Sequence, residues 1–212
     1  MDVMDVIITR RSIRAYMNKP VAYKLLCEIL NTAKYAPSSG NIQNWKFILV
    51  DNQAAKDGIA ECCLDQEWMA AASHYIVICN DTTNVKRMYH SRGEKLYSIQ
   101  NCAAVASNIM LAAHGQGLAT CWVGAFDEDK LKAILKIPDD IAPEIIITIG
   151  YAAEDAPETP RYPLEEITYF SEWGNRAKAT GLFPLKENVE TAKKGLFGFV
   201  AGIKNRIFRK KG

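Results

Sequence analysis

Three guanidiniums and a hydroxyl fall within five residues at Arg10-Arg11-Ser12-Ile13-Arg14. Arginine offers forked donors that match phosphate oxygens, and serine adds another, so this run is chemically suited to an anion. A solvated basic turn would carry the same residues. A second stretch, Ala36-Pro37-Ser38-Ser39-Gly40-Asn41-Ile42-Gln43-Asn44-Trp45, gathers two hydroxyls and three amide side chains without a charge. Such groups read the polar rim of a ring or a polyol by hydrogen bonding. Ser, Gly and Asn also make ordinary helix-stop loops. The third is Gly115-Gln116-Gly117-Leu118-Ala119-Thr120-Cys121-Trp122-Val123-Gly124-Ala125-Phe126-Asp127. Gly124 and Ala125 lack bulk, so a planar ligand could approach their backbone N–H groups, unless this is a plain strand-to-helix turn. Arg161, followed by Tyr162-Pro163-Leu164-Glu165-Glu166, is the fourth candidate.

The elements that would position these groups alternate between helix and strand. A short helix over residues 3–9 leads into the arginine run. Residues 21–35 show a helical apolar period at Leu25, Ile29 and Ala33, stopped by Pro37. Residues 45–50 read as a buried strand halted by Asp51 and Asn52. Two shorter helical stretches, 53–63 and 66–72, precede a second buried strand at 75–79. The longest helix is expected over 94–115, where Leu96, Ile99, Ala103, Ala106, Met110 and Ala113 share a stripe. Its small residues from Cys102 to Ala113 suit close packing against another helix or another subunit. A strand at 118–123, a helix at 127–135 capped by Asp127, and a strand at 144–151 follow. Pro157, Pro160 and Pro163 mark an extended return. The class is α/β, but no GxGxxG follows a strand, so the Rossmann and P-loop readings lose their main support.

At 212 residues the chain is long enough to bury a real core. A hydrophobic share of 49% with 24% charged residues excludes disordered and membrane-spanning classes. The net charge of +2 gives no global pull toward nucleic acid. Charges scattered from Met1 to Arg14 and the lack of a long apolar run make the cytoplasm the expected compartment. Six cysteines include no CxxC pair and mostly sit in apolar runs, as small buried thiols do in a reducing compartment. No metal is expected.

RRSIR near the start, PSSGNxQ about two dozen residues on, GLxTCWVGAFD past the middle, and GYAAED with RYPLEE afterwards resemble the nitroreductase family of flavoenzymes. The resemblance spans roughly residues 2–176. It implies a three-layer α+β sandwich, a mixed sheet flanked by helices, built as an intertwined homodimer with FMN at the subunit interface. It implies that Arg10, Arg11, Ser12 and Arg14 hold the FMN phosphate, ribityl chain and pyrimidine edge, with Arg161 completing the phosphate site. By the same likeness Pro37, Ser38, Ser39, Asn41 and Gln43 contact the flavin, partly from the second subunit. Trp122, Val123, Gly124 and Ala125 would line the isoalloxazine, the Gly124 N–H aimed at N5. A fixed dipole there tunes the ring without an ionisable group. Two departures stand out: the family's PSSxNxQPW has proline where this chain has Asn44, and Trp68 occupies the approximate place of a lysine found near the flavin in some members. Gln66 is the one polar candidate left there.

The resemblance further implies ping-pong chemistry, in which NADH or NADPH reduces FMN and leaves before a nitroaromatic or quinone acceptor enters. The cofactor carries the hard step, so no dedicated acid–base residue is required. His74, His90 and His114 lack a partner at telling spacing and read as structural. Residues 84–97 lie between a strand and the long helix; Tyr89, Arg92 and Tyr97 there could meet an anionic or aromatic acceptor, or belong to a solvated loop. Specialised members of the superfamily, such as a reductive dehalogenase, a flavin-fragmenting enzyme or a maturation dehydrogenase, share these motifs. So would a non-catalytic flavin-binding protein.

The chain divides, by sequence, into an FMN-binding domain at 1–182 and an extension at 183–212. Eight Lys and Arg against two Glu give the extension +6, which leaves −4 on the remainder. With Leu196, Phe197, Phe199, Val200, Ile203, Ile207 and Phe208 interspersed, it reads as a membrane-surface or partner-gripping amphipathic helix, or as an arm on the sister subunit.

Overall fold

The computed structural model describes residues 1–175. In chain order the elements are α1 (Val3–Thr9), α2 (Tyr23–Ala33), β1 (Trp45–Val50), α3 (Gln53–Cys62), β2 (His74–Asp81), α4 (Thr83–Arg92), α5 (Ser98–Gly115), β3 (Ala119–Val123), α6 (Glu128–Leu135), β4 (Ile141–Gly150) and α7 (Leu164–Ile167). Short 3-10 turns occupy Ser39–Asn41 and Glu67–Ala71, and a π turn occupies Gly93–Tyr97. The strands lie in the order β1-β2-β4-β3, each antiparallel to its neighbour. A single parallel bridge, Ser12 to Thr120, adds the N-terminal segment beyond β3 and makes the pairing mixed.

Period-two alternation in β2 and β4 decides where the core lies, because successive strand side chains point to opposite faces. Ile76, Ile78, Ile145, Ile147 and Ile149 pack with Leu26 and Ile29 of α2 and with Cys102, Val105 and Ile109 of α5. Tyr75, Val77, Cys79 and Ile146 pack on the other face with Ile59 and Cys62 of α3 and Leu131 of α6. Each such isoleucine contributes about 1.5–3 kcal/mol by leaving water. The three expected layers follow, and a strand covered on both faces reads as an unbroken apolar run.

Within α5 the buried residues Ser98, Asn101, Cys102, Val105, Ala106, Ile109, Met110 and Ala113 recur at helical spacing. Asp127 caps α6 as expected, its Oδ1 accepting from Lys130 N at 3.1 Å. Cys27 is exposed and the other five cysteines are buried and unpaired. Burial pushes the thiols of Cys63 and Cys102 up to about 12 and that of Cys79 up to about 11, so they remain protonated packing groups. Among the described residues no cluster of His, Cys, Asp and Glu could hold a metal, and no helix is long and apolar enough to cross a membrane.

The segment expected as either substrate cover or solvated loop is helical: α4 runs to Arg92 and the π turn leads into α5. Only Val85 of α4 is buried, so no apolar stripe advertises the helix in sequence. A kink at His90, with φ 52° and ψ −143°, turns the chain back on itself. Gly93 then lies so close that a Cβ there would stand 2.5 Å from Val85 O and 2.7 Å from Tyr89 Cβ.

The chain separates into two compact units, Met1–Ala156 and Pro157–Gly212, the second described only to residue 175. The described part of the second unit holds α7 and a Tyr169–Trp173 ring contact at 4.7 Å. The expected boundary at residue 182 and the basic extension fall outside the described residues.

The close approach at Gly93 yields a test. Gly93→Ala must displace backbone rather than a side-chain tip, and is expected to cost about 1–3 kcal/mol in urea unfolding. Unchanged stability would mean that the α4 backbone yields without cost.

Candidate functional site

The arginine run follows α1 because Arg10 ends that helix in an extended conformation. Arg11 folds back, its Nη1 donating to Ile8 O at 2.7 Å and Arg10 O at 3.2 Å, and sets a cation on the helix C-terminus. Ser12 then bridges Thr120, and Ile13 N donates to Thr120 O at 3.1 Å, with the Ile13 side chain buried in the core. Glu154, from the GYAAED motif, accepts from Arg14 N at 2.7 Å and Ala15 N at 3.1 Å through one carboxylate oxygen. Tyr16 finishes the segment, buried and bonded to Ile13 O and to Thr148 Oγ1; burial raises its phenol, which stays protonated. Three motifs far apart in sequence therefore meet along the outer edge of β3.

A cavity of about 410 Å³ opens at this edge, lined among others by Thr9, Arg10, Arg11, His114, Thr120 and Glu154. Thr120 Oγ1 is buried and has no hydrogen-bond partner among the described residues. A buried hydroxyl without a partner is costly, which suits a polar ligand at this place. His114 Nε2 lies 2.8 Å from Thr9 Oγ1. Burial and then the charges of Arg10 and Arg11 lower its pKa. Two arginines and a histidine thus share one cavity with the carboxylates of Glu154 and Asp155. Sequence spacing could not place His114 here, since it lies at the far end of α5 and only the packing of α1 beside that end brings it in.

Trp122 is 40% exposed at the end of β3, and Gly124 and Ala125 follow on the surface. Val123 is buried in the core between α3 and α6. Arg14 stands over the Trp68 ring at 5.8 Å, so Trp68 packs beside the arginine run. Gln66 spends its amide on Cys63 O at 2.8 Å.

The Ser-Asn-Gln loop sits at the other edge of the sheet, where it enters β1. Gly40, Asn41 and Gln43 all have φ near +50° (55°, 54° and 52°). Asn is among the residues that tolerate this region, and Gln43 is held in it by its bonds to Asn41 O and Oδ1, both 3.1 Å. Ser38 Oγ accepts from Gln43 N at 3.1 Å, and Pro37 is exposed. A proline at 44 would push Gln43 toward extended backbone, so the departure at Asn44 goes with a different loop shape. Tyr89, Arg92 and Tyr97 cluster beside this loop: Tyr89 and Tyr97 meet edge to face at 5.4 Å, and Arg92 Nε donates to Tyr97 OH at 3.0 Å. A Cβ on Gly40 would stand 2.8 Å from Tyr89 OH.

One chain therefore holds the expected site in two halves, at β3 and at β1. Three interstrand gaps separate these edges, roughly 14 Å at the usual spacing. Arg161 belongs to the second unit, where its Nη1 donates to Thr159 O at 3.0 Å.

The Glu154 contact gives a direct check on the arginine edge. Glu154→Ala removes the acceptor of two backbone amides, worth about 1.5 kcal/mol at an exposed site. Hydrogen exchange at Arg14 and Ala15 should accelerate roughly tenfold; unchanged exchange would show that the segment is held without Glu154.

Comparison with known proteins bears on the same residues. The model of the nitroreductase family matches residues 7–66 and 60–151. A relative from Methanothermobacter thermautotrophicus, assigned as NADH dehydrogenase/NAD(P)H nitroreductase, is 34% identical over 161 residues, covering 73% of this chain and 80% of its own. An FMN reductase [NAD(P)H] from Bacillus subtilis is 28% identical over 192 residues, covering 84% and 77%. The solved FMN-dependent nitroreductase of Clostridium difficile superposes with a TM-score of 0.69 at 26% identity, over 80% of this chain and 99% of that one. The match covers both the arginine run and the Ser-Asn-Gln loop, and the chain belongs to the nitroreductase family.

Proposed function

We propose that this chain is an FMN-dependent oxidoreductase that uses NADH or NADPH to reduce small acceptors, nitroaromatics and quinones among them. One observation carries the reading: a cavity lined by Arg10, Arg11 and a buried Thr120 hydroxyl without a partner among the described residues lies at one sheet edge, and an uncharged hydroxyl–amide loop lies at the other. Arg10 and Arg11, with His114 beside them, supply charge for a phosphate. Thr120 Oγ1 and Ser12 supply polar atoms for a ribityl chain. Glu154 and Asp155 line the same cavity, and one Glu154 carboxylate oxygen is engaged by Arg14 N and Ala15 N. Ser38, Ser39, Asn41 and Gln43 would meet the ring's polar rim, with Arg14 at the pyrimidine edge and Trp122, Val123, Gly124 and Ala125 beside the isoalloxazine. Assignment of Arg161 to the phosphate rests on the family resemblance. FMN held by these residues would supply the redox chemistry between the reduced nicotinamide and the acceptor, the two using the site in turn.

A homodimer would join the halves, with each copy's β1-edge loop serving the β3 edge of the other. In support, α1 buries none of its residues and exposes Val3, Met4, Ile7 and Ile8 at half or more of their surface. The cytoplasm is the proposed compartment. The extension at 183–212 is proposed as an arm on the sister subunit; co-sedimentation with anionic liposomes beyond that of a 1–182 chain would favour a membrane surface instead.

Purified protein should show flavin absorbance that bleaches anaerobically with NADH or NADPH and returns with a nitro compound or quinone. A colourless protein that FMN cannot reconstitute would refute the reading. Arg10→Ala should weaken FMN binding roughly tenfold to a hundredfold, the worth of a charge-assisted contact, and Arg161→Ala tests the second phosphate ligand in the same assay. Arg92→Ala should change acceptor KM with FMN content intact; identical kinetics across several acceptors would remove that residue from the substrate site.

A further inference from the structure

A buried chain of amides runs from β4 to the Ser-Asn-Gln loop. Between Ile78 and Cys79 the pairing of β2 with β4 shifts and passes over Glu144, a bulge that re-aims this side chain. Glu144 Oε1 accepts from Asn80 Nδ2 at 2.7 Å, and the same amide donates to Ser98 Oγ at 3.0 Å. Ser98 Oγ uses its own proton on Glu94 O at 2.7 Å. Asn80 Oδ1 accepts from Asn44 Nδ2 at 2.7 Å. Asn44 Oδ1 accepts from Asn101 Nδ2 at 2.7 Å. Asn101 Nδ2 also donates to Ser39 Oγ at 3.0 Å, while its Oδ1 accepts from Ser39 N at 3.0 Å. Asn44, Asn80, Ser98 and Asn101 are each at most 5% exposed, so water does not compete for these bonds.

A carboxylate only accepts, and each asparagine has one accepting and one donating end. Glu144 therefore fixes the orientation of Asn80, Asn80 fixes Asn44, and Asn44 fixes Asn101. At the end of the series Ser39 Oγ is an acceptor toward Asn101, and its proton has no acceptor among the described residues. The hydroxyl keeps that proton for a further partner. A proline at 44, as in the family pattern, has no amide and would break the series, so the device belongs to this chain's own departure.

We infer that Ser39 Oγ, which accepts from Asn101, donates its own proton to an acceptor atom of the bound flavin, and that Asn101, Asn44, Asn80 and Glu144 are positioning residues that hold that oxygen in place. This rests on the proposed FMN function.

The test uses the full chain with FMN, reading FMN Kd by flavin fluorescence and the visible flavin spectrum. Ser39→Ala should raise the Kd roughly tenfold and shift the spectrum, and Ser39→Thr, which keeps a hydroxyl, should restore both. Asn101→Asp replaces the amide donor by an acceptor and draws the Ser39 proton inward. It should reproduce the Ser39→Ala Kd and spectrum, and the double variant should lose no more than either alone. If buried charge prevents Asn101→Asp from folding, Asn101→Ala in the same cycle must still be non-additive with Ser39→Ala. Equal FMN affinity and an unchanged spectrum in Ser39→Ala would overturn the donor, and additive losses would overturn the relay, with the flavoenzyme reading intact in both cases. Failure of the unmodified chain to bind FMN would overturn both.

Discussion

Burial of β2 and β4 on both faces is the constraint from which the rest of the structure follows. Helices α2 and α5 cover one face and α3 and α6 the other, so the centre of the sheet has no room for polar chemistry. Polar and cationic groups are confined to the two outer strands and the turns that flank them. Residues 12–16 are laid along β3, which carries the arginines to one edge. The loop entering β1 carries the serines and amides to the other.

The few polar side chains admitted to the interior obey the same cost. Lys56, 6% exposed, places its ammonium on Ala72 O at 2.8 Å and so secures the turn that delivers β2. Asn44, Asn80 and Asn101 satisfy one another in a connected set tied to Glu144. Thr120 Oγ1 breaks the pattern, and it does so at the wall of the cavity that Arg10 and Arg11 line. Complete satisfaction in the core and an unmet hydroxyl at the cavity separate groups that hold the fold from one poised for a ligand.

Electrostatics follows from this layout. The five buried cysteines sit in surroundings whose burial raises their pKa and leaves them inert. Burial, and after it the charges of Arg10 and Arg11, lower the affinity of His114 for a proton. The cavity at β3 offers the guanidiniums of Arg10 and Arg11 beside the carboxylates of Glu154 and Asp155, while the loop at β1 offers neutral dipoles. A ligand with an anionic end and a neutral polar ring matches the two environments in turn.

Sequence by itself determined the elements with strong apolar periods. The core of β2 could be read because residues buried on both faces must all be apolar, Trp45–Val50 because all of it but the exposed Lys46 is apolar, and α5 because its buried positions repeat every three or four residues. The residue types of the two site halves were equally legible, since forked cations and neutral amides differ in what they can bind. Helix α4 escaped, for a helix that buries only Val85 carries no stripe. Tertiary structure alone decided that Glu154 would hold the arginine run, that His114 would share the Arg10 cavity, and that Asn44 would link Asn80 to Asn101. Each of these depends on a contact between residues tens of positions apart, and such contacts are set by packing and register, on which local spacing has no bearing.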